Sequence, residues 1–289
     1  MCGIVGLHLR TPELYPRLGE LLTGMLCEMS DRGADSAGIA VYGDPVWSPP
    51  GLACVSVTDI AERPDLGPDV AVVQVDSSYL LSAELPSEDL LAQVKAAYPD
   101  ALVAGFGSDL AVLKGVGHPR ALADAWGLAK AQGWQGVGHT RMATESAVTP
   151  SGCHPYTVGP EQCLVHNGSF ANHATIRREL RRAGVEFDSE NDTEVGARFV
   201  AAQLAAGRDV ETALKELCAT FDGFYTLLVS NRDSFAVVRD AIACKPAVIA
   251  ETPDWVAMAS EYRALDGLPG VESANIWEPE PEVVYAWNR

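Results

Sequence analysis

Basic side chains are scarce: 21 Lys and Arg face 39 Asp and Glu in 289 residues, a formal net charge of −18. Such a chain repels a polyanion, and its largest basic group, Arg177-Arg178 with Arg181-Arg182, alternates with Ile176, Leu180 and Ala183 as on a solvated helix. The balance argues against nucleic-acid binding. Paired cysteine spacing is also lacking. The seven cysteines, at 2, 27, 54, 153, 163, 218 and 244, are odd in number and include no Cys-x-x-Cys. This argues against a zinc knuckle or disulfide framework and for a reducing, cytoplasmic setting, with no metal expected. No apolar run approaches the roughly 20 residues that span a bilayer, and the opening Met-Cys-Gly-Ile-Val-Gly has no basic leader, so neither membrane partner nor export is expected. The glycine pattern of a nucleotide-binding βαβ unit and internal repeats are absent too.

What remains is 47% hydrophobic and 21% charged, a compactly folding composition long enough for one large domain or two modest ones. Residues 3–8 are β-rich and alternating, which ties down the terminus and puts Cys2 at a strand end. Leu18, Leu21, Leu22, Met25, Leu26 and Met29 follow helical spacing and predict a helix over 16–29. Between about 44 and 108, prolines break the texture, and the stretch carries its own strand at 70–75, a helix that Ser87 can cap, and a strand at 101–106. It reads as an inserted α/β lobe. A helix is expected over 119–132, and helices over 174–183 and 193–206 are closed by Gly184 and Gly207. Short strands are expected at 135–140, 163–166, 224–230, 234–239, 247–250, 256–260 and 283–287. Hairpin-linked strands imply antiparallel sheets, with helices layered outside them.

Four segments carry chemistry. If Met1 is removed, Cys2 holds both a thiol and a free α-amine, whose ordinary pKa of about 7.7–8.0 suits it to take the thiol proton. Arg141, just past a strand in Gly138-His-Thr-Arg-Met-Ala-Thr144, has a fork that can grip a carboxylate. In His166-Asn-Gly168, an Asn amide beside a Gly N–H at a strand end can supply the donors of an oxyanion hole. Asp192, in Ser189-Glu-Asn-Asp-Thr-Glu194, can accept from an ammonium. Singly, each has a plainer explanation: a buried small hydrophobe, a surface ion pair, a turn, and a capping box of Asn191 and Glu194. Together they describe one substrate, an amino acid with a side-chain carbonyl electrophile, which glutamine fits best.

The ordered motifs Cys2-Gly3-Ile4-Val5-Gly6, Arg32-Gly-Ala-Asp-Ser-Ala-Gly38, Gly138-His-Thr-Arg-Met-Ala-Thr144, His166-Asn-Gly168 and Asn191-Asp-Thr-Glu194 resemble the class II glutamine amidotransferase domain of the N-terminal-nucleophile hydrolases. The resemblance implies an α+β fold, a four-layer αββα sandwich of antiparallel sheets, here with the inserted lobe. It implies glutamine hydrolysis through a thioester on Cys2, with the Cys2 amine as base and Asn167 and Gly168 as oxyanion hole. It places Arg141 on the α-carboxylate, Asp192 on the α-ammonium, Thr144 beside the carboxylate and Arg32 in the loop over the N-terminus. The chain departs from the family pattern at Glu145, where many relatives have His, and at Met142, where an aromatic is common. His139 and His166 are read as supporting residues, not metal ligands.

No synthetase, phosphoribosyltransferase or sugar-isomerase segment follows before Arg289, so the ammonia acceptor is expected on another polypeptide. A lone glutaminase chain most resembles the small subunit of glutamate-synthase-like systems such as N-methylglutamate synthase, with support from Leu110-Ala-Val-Leu-Lys-Gly-Val-Gly-His-Pro119. On that reading the chain itself has no cofactor, flavin and an iron–sulfur cluster belong to partner subunits, and the lobe helps dock them. An amidohydrolase of the same fold acting on another γ-glutamyl amide, and a non-catalytic assembly subunit, are the alternatives.

Overall fold

The computed structural model describes residues 2–142 and 148–289; Thr144 and Glu145, both singled out in the sequence, lie outside the described residues. Strand β1 (Gly3–Leu9) is buried at every position. Val5, Leu7 and Leu9 face one side of the sheet, where helix α1 (Leu18–Glu28) lays down Leu18, Leu21, Leu22, Met25 and Leu26. Ile4 faces the other side, against a second sheet. Gly6 shares that second face, and a Cβ there would stand 2.5 Å from Leu228 Cδ2 and 2.8 Å from the Phe235 ring. The missing side chain lets the two sheets close up.

Strands β2 (Ser36–Tyr42), β3 (Ala53–Thr58), β4 (Ala71–Val75) and β5 (Ser78–Ala83) precede helix α2 (Ser87–Ala97). Then come β6 (Leu102–Gly107), β7 (Leu110–Val116), helix α3 (Pro119–Trp126), β8 (Gln135–Arg141) and β9 (Cys163–Phe170). Helices α4 (His173–Arg182), α5 (Asp192–Ala205) and α6 (Val210–Thr220) lead to β10 (Gly223–Ser230) and β11 (Ser234–Arg239). The chain closes with β12 (Val248–Glu251), β13 (Trp255–Ala259), β14 (Asn275–Trp277) and β15 (Tyr285–Asn288). The first sheet runs β14-β12-β13-β1-β8-β2-β7 and the second β15-β11-β10-β9. Every pairing in both is antiparallel. Ile4, Val137, Val165, Leu228, Phe235 and Met258 fill the space between them. On the outer face of the second sheet, α5 and α6 bury Val195, Val200, Leu214 and Leu217 against Phe170, Tyr225 and Leu227. Helix, sheet, sheet and helix therefore stack as the αββα sandwich expected.

A third sheet, β4-β5-β3-β6, with α2 on it and its own core of Val55, Leu81, Leu90 and Phe106, occupies 53–107. It is stitched to the main body where the Val112 N–H donates to Ser56 Oγ at 2.9 Å. Asp44 stays with the main body, accepting from the Trp47 and Gln132 amides. Four details differ from the sequence reading. Strands β3, β5, β7 and β14 were not expected, although β3 and β5 are buried throughout. Ser87 does not cap α2; it is the first helical residue, and its hydroxyl donates to Glu88. Helix α3 stops at Trp126 because Gly127 turns left-handed, φ 65°. Helix α6 was missed, although Asp209 caps it through the Thr212 amide and Val210, Ala213, Leu214 and Leu217 make its buried stripe.

Candidate active site

The site is organised by the free edge of β9. This strand ends the second sheet, with β10 as its one neighbouring strand among the described residues, so alternate residues direct their N–H and C=O outward. Leu164 exchanges both bonds with Tyr156 at 2.9 Å. His166 donates to His154 Nδ1 at 3.2 Å and accepts from His139 Nε2 at 3.2 Å. Phe170 donates to Asp192 Oδ2 at 2.8 Å. Gly168 is the fourth member of this set. Its partner across the ladder, Tyr225, spends its own N–H and C=O on Asp240, at 2.7 and 3.1 Å, which marks the pair as a non-hydrogen-bonded one. The Gly168 N–H therefore faces the free edge and is not consumed by the sheet. Asn167-Gly168 is thus neither a turn nor a strand end, as the sequence implied: the strand runs on to Phe170, with Gly168 at φ 147°.

Cys2 arrives beside this edge, half-buried, at the start of β1. Its carbonyl accepts from Arg32 Nε at 3.0 Å and from Asn167 Nδ2 at 3.2 Å. An amide nitrogen carries two hydrogens, so Asn167 can hold Cys2 in place and still offer a second donor. Arg32 is buried and pairs with Glu261 at 2.8 Å. It fixes the terminus from behind and is not among the residues that line the cavity. That cavity, of about 240 Å³, is lined by Cys2, Arg141, Gly168 and Asp192, together with Met142, His154, His166, Ser169, Asn191 and Thr193. The structure thus brings Cys2, Gly168, Arg141 and Asp192, read from four distant segments, to one cavity.

Asp192 is the first residue of α5. Asn191 caps that helix, accepting from the Thr193 N–H at 2.9 Å, but Glu194 does not complete the capping box. Its carboxylate instead accepts from the Asp188 and Ser189 amides at 2.8 and 2.7 Å and from Arg198. Burial alone would raise Glu194; the bonds from Ser189, Asp188 and Arg198 bring it below its ordinary value. A charged, buried Glu194 locks the 188–192 turn and hence Asp192.

Sequence reasoning missed His154, which stacks on His139 at 4.0 Å and, at the cavity wall, lies 6.3 Å from His166. It sits 12 residues before His166 in a loop that no periodicity marks. Desolvation drives all three histidines below their ordinary 6.5: His139 to about 3, His166 to about 4, and His154 well down. The unfolded chain therefore binds these protons first. Their contribution to stability is complete above pH 6.5 and drains away as the pH falls toward 4, at about 1.4 kcal/mol per pH unit for each histidine. Urea midpoints should accordingly fall steeply between pH 7 and pH 5; equal midpoints would show that the cluster is not buried and neutral.

A cysteine at residue 2 beside an unspent edge-strand N–H, on an αββα sandwich, is the arrangement of an N-terminal-nucleophile amidohydrolase. A family model described as a glutamine amidotransferase domain matches residues 139–267. The glutamine amidotransferase-like protein GlxB of Rhizobium meliloti (strain 1021) is 46% identical, over 100% of this chain and 98% of its own. The chain belongs to the class II glutamine amidotransferase family. A glutamine–fructose-6-phosphate aminotransferase of Streptomyces coelicolor is 35% identical over 45% of this chain and 21% of its own. In fold, the chain is similar to an allosteric regulatory enzyme of purine biosynthesis (TM-score 0.67, 19% identity) and to the B. subtilis glutamine phosphoribosylpyrophosphate amidotransferase (0.63, 18%). It is covered to 99% by both, and spans about half of each, 47% and 49%. Among the described residues, no helix is long and apolar enough to cross a membrane.

Proposed function

We propose that the chain hydrolyses L-glutamine to glutamate and ammonia through a γ-glutamyl thioester on Cys2, and passes the ammonia to a synthase on a separate polypeptide. The observation that carries this reading is the unspent Gly168 N–H beside Cys2, in the cavity that also holds Arg141 and Asp192. Arg141 takes the α-carboxylate and Asp192 the α-ammonium. The Cys2 amine removes the thiol proton, the sulfur attacks the side-chain amide carbon, and Gly168 N–H and Asn167 Nδ2 receive the developing oxyanion. The amine returns its proton to the departing ammonia, and water then cleaves the thioester. Arg32 and, on the family pattern, Thr144 support the site without touching the reacting bond.

For the partner, the support is architectural. A relative matched over 98% of its own length consists of little besides this domain, whereas the aminotransferase places the matching region within a fifth of its length. A synthase of the glutamate or N-methylglutamate type, holding its own flavin and iron–sulfur cluster, fits this division. The 53–107 sheet offers a docking embellishment, and the reducing cytoplasm suits the thiol.

The test is ammonia release by the purified chain, alone and co-purified with its partners, from glutamine and from other γ-glutamyl amides. Mass spectrometry of the same sample identifies the partners and reads the first residue. The expected result is a chain that begins at Cys2 and prefers glutamine by at least about tenfold, or 1.4 kcal/mol. Active protein that retains Met1 would exclude the amine as base, and preference for another amide would redirect the substrate.

A further inference from the structure

Behind the cavity, the protons of one hydrogen-bond chain can be assigned in turn. The His166 N–H donates to His154 Nδ1 at 3.2 Å, so that nitrogen is bare and a neutral His154 carries its hydrogen on Nε2. Nε2 lies 3.3 Å from Thr193 Oγ1 and donates to it. The hydroxyl then has one proton to give. His166 Nδ1, at 2.9 Å, lies nearer than Asp192 Oδ1, at 3.5 Å, and the tautomer of His166 decides which end of the shorter contact holds the proton. With Nδ1 accepting, a neutral His166 carries its hydrogen on Nε2, an atom with no partner among the described residues. His139 Nε2 faces the His166 carbonyl, which only accepts, so His139 is an Nε2–H tautomer too. All three rings are at most 6% exposed. Burial holds His166 neutral with help from Lys245, while Asp192 pulls the other way; His139, Lys114 and Arg141 act on His154 in the same sense as burial.

We propose that Thr193, His154 and His166 form a directional relay that positions the glutaminase site: it turns the single Thr193 proton away from Asp192 and fixes His166 as its Nε2–H tautomer. Reversing the direction would put the hydrogen of His166 on Nδ1, send the Thr193 proton to Asp192 Oδ1, and blunt the carboxylate that meets the substrate ammonium. The relay, and His139 joined to it through the His166 carbonyl, adjoin the site along the chain. His139 is two residues before Arg141, His166 is next to Asn167, and Thr193 is next to Asp192. The role rests on the proposed glutaminase reading, but the proton order does not.

Two measurements test it. Long-range ¹H–¹⁵N spectra of the labelled full chain at pH 7 should show His139, His154 and His166 all neutral and all Nε2–H; an Nδ1–H or imidazolium His166 overturns the relay. In kinetics, Thr193→Val should raise KM for glutamine about tenfold with kcat within about twofold, a loss of ground-state binding. Thr193→Ser should restore KM, and alkylation of Cys2 by iodoacetamide should proceed at the unaltered rate in both variants. A wild-type KM in Thr193→Val, or no rescue by serine, overturns the positioning role. Should the unaltered chain fail to release ammonia from glutamine, the functional reading falls, while the ring tautomers still decide the relay.

Discussion

Replacing Cys2 with alanine is expected to lower ammonia release from glutamine by at least about 10³-fold while glutamine still binds. The reason is a division of labour visible in the coordinates. The bonds that seat residue 2, from Arg32 Nε and Asn167 Nδ2, go to its backbone carbonyl and survive the substitution. Ile4 is anchored separately, its N–H donating to Ser260 Oγ at 2.9 Å. The side chain is half-buried at the cavity and contributes little to the core, so the melting temperature should hardly move. On the proposed reading, Arg141 and Asp192 remain to bind the amino-acid end. A calorimetric titration should find glutamine affinity within a few-fold of the unaltered chain, and the loss should fall on kcat. Activity above about a tenth of the original would mean that another group attacks the amide. Cys2→Ser separates nucleophilicity from shape. A hydroxyl in the same place is far less acidic than a thiol, so the amine that suits a thiol is a poor base for it, and serine should rescue little.

Much of this arrangement is legible in the sequence, for reasons specific to particular segments. β1 and α1 are driven by strong local periodicity, and both fall within two residues of expectation. The side chains that line the cavity are marked by type: a cysteine at position 2, an arginine at the end of β8, an aspartate at a helix start. What stayed hidden is backbone and context. The donor capacity of Gly168 depends on which face of β9 lies open, and that is set by Tyr225 and Asp240 some 60–70 positions away, the bond partners that decide the ladder phase. His154 belongs to the site because its loop folds back and stacks it on His139 of β8, a contact that no spacing encodes. Glu194 reads as half of a capping box, yet its carboxylate finds closer donors in the turn before the helix. Helix α6 is a different kind of omission: its cap and stripe are plain in the sequence, but they were not read as a helix.

Gly168→Ala should combine a stability loss with a catalytic one, and the two can be separated. At φ 147° the backbone occupies a region that side chains avoid, and a Cβ there would collide with the Phe224 carbonyl oxygen across the ladder. The obstacle is backbone in the neighbouring strand, so relief requires β9 to shift against β10. Strain and clash together should cost about 3 kcal/mol. For a chain of this length, that is a fall in melting temperature of about 5 °C. Any shift of β9 moves the Gly168 N–H, and misplacing one oxyanion donor is worth about 10²–10³ in kcat. Arg141 and Asp192 lie on β8 and α5, so KM should change little when the assay is run well below the lowered melting point. Gly184 supplies the control. It also has a positive φ, 89°, but a Cβ there meets nothing within 4 Å, so alanine should cost only about 1 kcal/mol and leave kcat unchanged. A Gly168→Ala variant that melts low but keeps its kcat would show that the stabilising donor lies elsewhere, and Asn167 would then have to carry the oxyanion by itself.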